Sequence, residues 1–514
     1  MIQRVFHDCS VISETQPLHI HTMNNAQIKR HGLSKSRILL HRQCPKRLWL
    51  KVHRPELEEI EDGNQARFDT GTYVGEVAQQ LYPDGVLIDG DDLRQSIIDT
   101  QAVLADKQHP IFEATFQSDG LLIRADLLLP DRGGFRMVEV KSTTSVKEYH
   151  LADAAIQSWV AEQAKLSLTS VEIAHLDNSF VYPGEGDYRG LFHHADISAQ
   201  ISDLKKNVPD WIEAARETLF GEEPCITPGI QCNTPFDCPF IGYCSPTAEA
   251  EDVYPPEILP YGRELAATLR AEGYTDLRDV PEARLDSPRH QRVWRVSKSG
   301  QAELNPEARK IIAALPYPRY YIDFETINPA VPIWAGTRPY MQVPFQWSCH
   351  IETSKGVMTH CAFLADGQSD PRRAFAESLI DAVGTNGPIF VYNAPFERSR
   401  MQEIGESHPD LALALQAAIN RIVDLLPIAR EHYYHPEMRG SWSIKAVLPT
   451  IAPDLAYDNL EVANGGMAQE AFAEIMLHET LPERRQQLHD ALLLYCERDT
   501  LAMVRIVHYF EGEA

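Results

Sequence analysis

The sequence predicts a mixed α/β protein built as two functional halves, and three patterns carry that prediction. First, GLLIRADLLLP and FRMVEVKS alternate with the period of strands and are joined by Asp131-Arg132-Gly133-Gly134, a turn suited to a hairpin. Second, RYYIDFETI reads as another strand, entered after Pro316 and Pro318. Third, LHDALLLYCERDTLAMVRIVHYF reads as a long helix whose apolar stripe runs Leu488, Leu492, Tyr495, Asp499, Met503, Ile506 and Phe510. At 514 residues the chain is too long for one ordinary core.

Composition narrows the function classes. Apolar and charged fractions are those of a globular protein, and no apolar run reaches the length of a membrane span. The nine cysteines, four of them placed as one group, suggest ligation in a reducing compartment, and hence a cytoplasmic protein. A net charge of −25 argues against a protein that simply coats nucleic acid. It leaves room for a nuclease, whose carboxylates hold cations while a local basic groove binds the strand. Candidates for such a groove are Lys46, Arg47, Lys51 and Arg54, and Arg430, Arg439 and Lys445.

Residues 1–30 are polar and aperiodic and read as a disordered leader, with Met23 an alternative start to Met1. Residues 31–248 mix helices and strands and end on a cysteine group. A Pro-rich stretch from Pro255-Pro256 to Pro260 then marks a boundary. Residues 249–316 read as a polar helical connector, and residues 317–514 as the final domain.

In the first half, strand periodicity puts Leu122, Arg124, Asp126 and Leu128 on one face, and Met137, Glu139 and Lys141 on one face of the next strand. Asp126 and Glu139 then sit side by side in an apolar sheet, where an unpaired carboxylate is costly and a cation partner is implied. Two such carboxylates suit Mg²⁺ or Mn²⁺, with Lys141 serving the attacking water of a phosphodiester hydrolysis. Gln157 follows on a helix. The bland alternative is a salt-bridged Asp–Lys pair. Asp126, Glu139-Val140-Lys141 and Gln157 resemble the PD-(D/E)XK motifs of RecB-type nucleases. The resemblance covers roughly residues 33–246, with Glu113 as an extra acidic candidate. There are two departures: Gly75 is followed by Glu76 where a histidine is expected, and Ala161 stands where a tyrosine is expected.

Cys232, Cys238 and Cys244 are separated by five residues each, and Cys44 lies 188 residues before the first of them. Structural zinc sites pair cysteines more tightly, as C-x₂₋₄-C, whereas a [4Fe–4S] cube accepts loosely spaced thiolates. The cluster is the favoured reading and zinc the alternative, with Cys225 as an alternate ligand. Together with the motifs between them, the cysteines resemble the iron–sulfur subgroup of these nucleases, which includes CRISPR-associated adaptation nucleases and AddB. That resemblance implies a cluster closing the nuclease core. Cys9, Cys349, Cys361 and Cys496 read as free thiols.

In the second half, Tyr321, Asp323 and Glu325 share one strand face, and Asp499 sits inside an apolar helix stripe one turn after Tyr495. A shared metal would give that carboxylate its partner. Asp-x-Glu on a strand and Tyr-x₃-Asp on a helix resemble the first and third motifs of DEDD 3′–5′ exonucleases of the tyrosine-bearing branch. Asn393-Ala394-Pro395-Phe396-Glu397 resembles the second motif, with Glu397 where the family has Asp. The resemblance covers about residues 319–510 and implies a ribonuclease-H-like fold and two metals at Asp323, Glu325, Glu397 and Asp499. Asp424 is a supporting carboxylate, and Ser441 and Lys445 are phosphate contacts. The whole chain resembles uncharacterised bacterial proteins pairing these two halves. The expectation is a DNA nuclease with two sites, working in repair or in defence against foreign DNA. The alternatives are an RNA exonuclease driven by the second half and a non-catalytic nucleic-acid-binding subunit.

Overall fold

A computed structural model describes residues 33–59, 64–105, 108–245, 254–455, 457 and 460–512. The expected leader, both candidate starts and Cys9 lie outside the described residues. The chain is mixed α/β and divides into two compact units, residues 1–248 and 249–514. Among the described residues no helix is long and apolar enough to cross a membrane.

In the first unit, β1 (Leu33–Ser34) leads into α1 (Lys35–Gln43) and α2 (Pro45–His53), followed by α3 (Asn64–Gln80), β2 (Val86–Leu87) and α4 (Leu93–Leu104). Then come β3 (Ile111–Ser118), β4 (Leu121–Asp131), β5 (Gly134–Lys141), α5 (Glu148–Gln163), β6 (Leu168–Leu176), β7 (Phe192–Asp196) and α6 (Ser198–Phe220). The sheet order is β2-β3-β4-β5-β6-β7, with β1 joining β4. The β4–β5 hairpin forms at the expected turn: Asp131 pairs with Gly134, and Gly133 takes φ +94°, where glycine alone is unstrained. From β5 the chain crosses through α5 to the parallel strand β6. Ala154, Ala155 and Ala161 let α5 lie close on the sheet, and Ala161, 0 % exposed, is core.

One expectation about β4 fails. Leu121, Ile123, Ala125 and Leu128 all enter the main core, while Leu127 and Leu129 enter the cluster on the other face. The strand therefore changes face between Ala125 and Leu128, and Leu128 does not share a face with Asp126. The β3 partner shows the cause. Its pairing skips from Phe112–Leu127 to Ala114–Ala125, and Glu113, opposite Asp126, takes φ +56°. The kink falls at the two acidic residues.

The second unit opens with α8 (Arg263–Ala271), preceded in the chain by the one-turn helix α7 (Ile241–Cys244) of the first unit, and continues with α9 (Pro288–Ser299), β8 (Glu303–Leu304) and α10 (Glu307–Ala313). The segment expected to be a connector is helical but is part of this unit's core. Leu269, Leu277, Val293, Val296 and Ile312 pack with Tyr321, Phe390, Tyr433 and Phe510. Next come β9 (Arg319–Ile327), β10 (Val343–Ser354), β11 (Val357–Leu364), α11 (Arg372–Val383), β12 (Ile389–Val391), α12 (Pro395–Ser407), α13 (Ala412–Ile419) and β13 (Ile422–Asp424). The chain ends with α14 (Leu425–His432), β14 (Tyr433–Tyr434), α15 (Ile444–Ile451), α16 (Gly465–Met476) and α17 (Pro482–Glu511).

The main sheet of this unit runs β11-β10-β9-β12-β13. β10 is antiparallel to β9 and β11, while β12 and β13 run parallel to β9. Ile322 and Phe324 pack toward α11, so the alternate residues Asp323 and Glu325 are presented on the opposite face. The predicted stripe of α17 is buried throughout. Each such large apolar side chain contributes about 1.5–3 kcal/mol relative to exposure, enough to fix the helix's rotation and with it the direction of Asp499.

Candidate functional site

In the second unit, β9 and α17 bring Asp323, Glu325 and Asp499 together. One ligand oxygen from each lies within 4.8 Å of the others, although Asp499 is 174 residues beyond Glu325. Asp499 is 6 % exposed and accepts a 2.5 Å hydrogen bond from the Tyr457 hydroxyl. Glu397, in the first turn of α12, is 2 % exposed, and its Oε2 has no partner among the described residues. Its charge reaches both Asp323 and Glu325. Burial and the charge of Asp424 push the Glu397 carboxyl up to about 8. Burial and then Asp499 push Glu325 up to about 8 as well, and burial raises Asp499 to about 6. Asp323 rises well above the carboxylate range through burial and the charges of Asp499, Glu325 and Glu397.

Tyr495 is buried at this site, its hydroxyl proton held by burial and by the charge of Asp499. The ammonium of Lys445 lies over the rings of Tyr457 and Tyr495, at 5.4 and 6.0 Å, and favours the ionised forms of Glu325 and Asp499. Asp424 has a different task from the one expected. It accepts from the backbone N–H groups of Asn393, Ala394 and Leu426 at 3.0–3.1 Å, so it caps α14 and pins the loop that leads to Glu397. Tyr457 escaped sequence reasoning because it sits in a loop without periodicity. Hard oxygen donors at this spacing fit divalent cations such as Mg²⁺ or Mn²⁺.

The first unit gathers Asp126, Glu139, Lys141 and Gln157 as expected, but Glu139 is not unpaired. Lys141 Nζ donates to Glu139 Oε1 at 2.6 Å, Lys35 Nζ to the same oxygen at 3.0 Å, and Gln157 Nε2 to Oε2 at 2.5 Å. Asp153, unanticipated, lies 2.7 Å from Lys141 and 3.2 Å from Lys35. Its spacing of four residues before Gln157 on α5 was the available signal. Burial opposes the charges on Lys141 and Lys35, but Glu139 and Asp153 outweigh it and raise both. Asp153 is held far below the usual range by the same two lysines against its burial. Asp126 accepts from the Val140 N–H at 2.7 Å, and burial with the Glu139 charge pushes it up to about 8. Glu113 is raised by burial and also feels Glu139. Glu76, at the place of the expected histidine, is exposed.

The four cysteines converge. Cys44, between α1 and α2, lines one cavity with Cys232, Cys238 and Cys244, and the Cys238 N–H donates to the Cys232 carbonyl at 2.8 Å. Cys225 is exposed and does not line it. Lys46 and Arg47 line the same cavity, which carries no carboxylate or imidazole among the described residues, so an all-thiolate donor set for a soft metal or cluster fits. Gln43 ties α1 to this loop, donating to the carbonyls of Gln231 and Phe236. The basic residues named as groove candidates here are engaged with partners. Lys46 pairs with Glu223, Lys51 with Glu58 and Arg54 with Glu56, while Arg47 donates to Gln43.

A family described as a domain of unknown function, DUF2779, matches residues 320–443, a span that includes Asp323, Glu325 and Glu397 and stops before Tyr495 and Asp499. An uncharacterised protein of Ureaplasma parvum is 26 % identical over 249 residues, covering 43 % of this chain and 35 % of the relative. An uncharacterised protein of Mycoplasma pneumoniae is 28 % identical over 235 residues, covering 42 % of this chain and 35 % of the relative. One of Mycoplasma genitalium is 24 % identical over 226 residues, 38 % of this chain and 32 % of the relative. The chain thus matches about a third of the length of these relatives.

Proposed function

We propose that the chain is a cytoplasmic, metal-dependent DNA nuclease with two active sites, one in each unit. The observation that carries the reading is the convergence of Asp323, Glu325 and Asp499 within 4.8 Å, beside Tyr495 and Lys445. Three carboxylates, two buried and one half-buried, with one ammonium nearby favour added positive charge. Divalent cations bound there supply charge for the phosphate and the leaving oxygen. Asp323, Glu325, Glu397 and Asp499 are the holding residues. Tyr495 directs the attacking water, and Lys445 contacts the phosphate. The order β11-β10-β9-β12-β13, with β10 alone reversed, supports a ribonuclease-H-like reading of this unit.

In the first unit, the meander β3-β4-β5, the crossover α5 and the parallel β6 support the PD-(D/E)XK reading. There Asp126 and Glu139 hold the cation and Lys141 serves the water. The four cysteines hold a [4Fe–4S] cluster in a structural role, closing a loop of nearly two hundred residues. The direct test is cleavage of single- and double-stranded DNA with Mg²⁺ or Mn²⁺, disabling one site at a time by Asp323→Asn or Glu139→Gln. Each variant should lose one part of the activity and the double variant all of it. Cleavage that survives the double variant would overturn the assignment.

A further inference from the structure

In the second unit a cleft of about 590 Å³ lies between the turn at Pro260–Tyr261 and the segment Gly440–Ile444. We propose that this cleft is a nucleotide subsite for single-stranded DNA, in which Tyr261 stacks on a base and Arg430 holds a phosphate of the uncleaved part of the strand. This rests on the reading of the second unit as a nucleic-acid hydrolase and extends it beyond the scissile bond.

Tyr261 is the first observation. Its side chain is 88 % exposed, and its backbone takes φ +57°, a region costly for a bulky residue. An aromatic ring held out to solvent at that cost stabilises nothing inside the chain. The turn is nevertheless fixed. The Pro260 carbonyl is 2.9 Å from His290 Nε2, and at Gly440 (φ +83°) a Cβ would overlap the Ile258 carbonyl, so the two walls meet backbone to backbone. On the other side, the Tyr392 hydroxyl donates to the Trp442 carbonyl at 2.6 Å.

Arg430 is the second. It lines the cleft and has no carboxylate partner among the described residues, although the chain carries a net charge of −25. Ser441 and Ser443, both exposed, add hydroxyls to the same wall. An aromatic face, a guanidinium and hydroxyls around a space of this volume match a base with its phosphate.

Position is the third. Asn393 lines the cleft and begins the loop that carries Glu397, while Ser443 lines it two residues before Lys445. Both walls therefore run on into the acidic site, so a strand with its end among the carboxylates can lay a neighbouring nucleotide in the cleft.

The test uses the full chain, an oligothymidylate carrying 5-iododeoxyuridine for photocrosslinking, and thymidine 5′-p-nitrophenyl phosphate as a substrate with no neighbouring nucleotide. Irradiation should crosslink the oligonucleotide to the peptide bearing Tyr261. Tyr261→Ala should raise KM for oligothymidylate about tenfold, as loss of one stacked base implies, and leave hydrolysis of the small substrate unchanged. Tyr261→Phe should behave as wild type, and Arg430→Ala should weaken binding and flatten its salt dependence. Crosslinks confined to other peptides, or equal loss on both substrates, would overturn the subsite. If the protein hydrolyses neither substrate yet crosslinks at Tyr261, the hydrolase reading fails while the subsite stands.

Discussion

Replacing Glu325 by Gln should stabilise the metal-free protein, and increasingly so as the pH rises. Glu325, Asp323 and Asp499 place oxygens within 4.8 Å of one another, and two like charges at that distance repel by about 3.5 kcal/mol at an effective dielectric of about 20. Burial and the charge of Asp499 raise Glu325 from 4.5 to about 8, a shift on the order of 5 kcal/mol and so of similar size. The folded value lies above the unfolded one. The associated stability is therefore fully present below about pH 4.5 and is lost as the pH climbs through about 8. Gln carries no such dependence. In EDTA, Glu325→Gln should melt close to wild type near pH 4 and roughly 5–15 °C above it near pH 9. Mn²⁺ should reverse the order, because only the wild-type site gains stability from the cation. Calorimetry at the two pH values, with EDTA and with Mn²⁺, reads all four numbers. A constant difference between the proteins across pH in EDTA would refute the reasoning, as would equal stabilisation of both by Mn²⁺.

Lys141→Ala should lower cleavage by the first unit about 10²–10⁴-fold in steady-state assays while circular dichroism shows it folded, since Lys35 still neutralises Glu139 and Asp153. Asp323→Ala should abolish exonucleolytic release from a labelled strand. Glu397→Asp should retain or raise that release, because it restores the shorter carboxylate at a position 2 % exposed. Purified without air, the protein should be brown and contain iron and sulfide in equal numbers, and Cys44→Ala should lose the colour and lower the melting of the first unit alone. Stoichiometric zinc in a colourless folded protein would refute the cluster.

Where one periodicity governed an element, its placement was legible in the sequence. The alternation around Asp323 and Glu325, the stripe around Asp499 and the hairpin at Gly133 each follow from a local repeat, and the structure has them. Where the period breaks, reading failed. The change of face at Glu113 and Asp126 moved Leu128, because a positive φ inside a strand leaves no pattern in side-chain type. The supposed connector looked polar because single buried residues such as Leu269, Val293 and Ile312 are spread among charged ones. Lys35 and Tyr457 were missed for another reason. Each reaches its site across long stretches of chain or from an irregular segment, and a partner chosen by tertiary packing has no signature in its own neighbourhood.

These unforeseen residues give the two acidic sites opposite electrostatic characters. In the first unit, Asp126, Glu139 and Asp153 face Lys35 and Lys141, and the bridges of 2.6–3.2 Å nearly neutralise the group. A cation arriving there must compete with ammonium groups already seated on Glu139. The open carboxylate is Asp126, held among the described residues by the Val140 N–H. In the second unit, four carboxylates have one ammonium near them among the described residues, Lys445, and all four keep their protons to about 6 or above. A cation there replaces protons rather than lysines. Protons leave more readily than a packed lysine moves, and each one released leaves a negative charge whose repulsion a bound cation screens. The second site should therefore load at lower cation concentration and with steeper pH dependence. In the first, Lys35 and Lys141 keep the carboxylates oriented in the absence of metal, and the same contact holds Lys141 where an attacking water would need it.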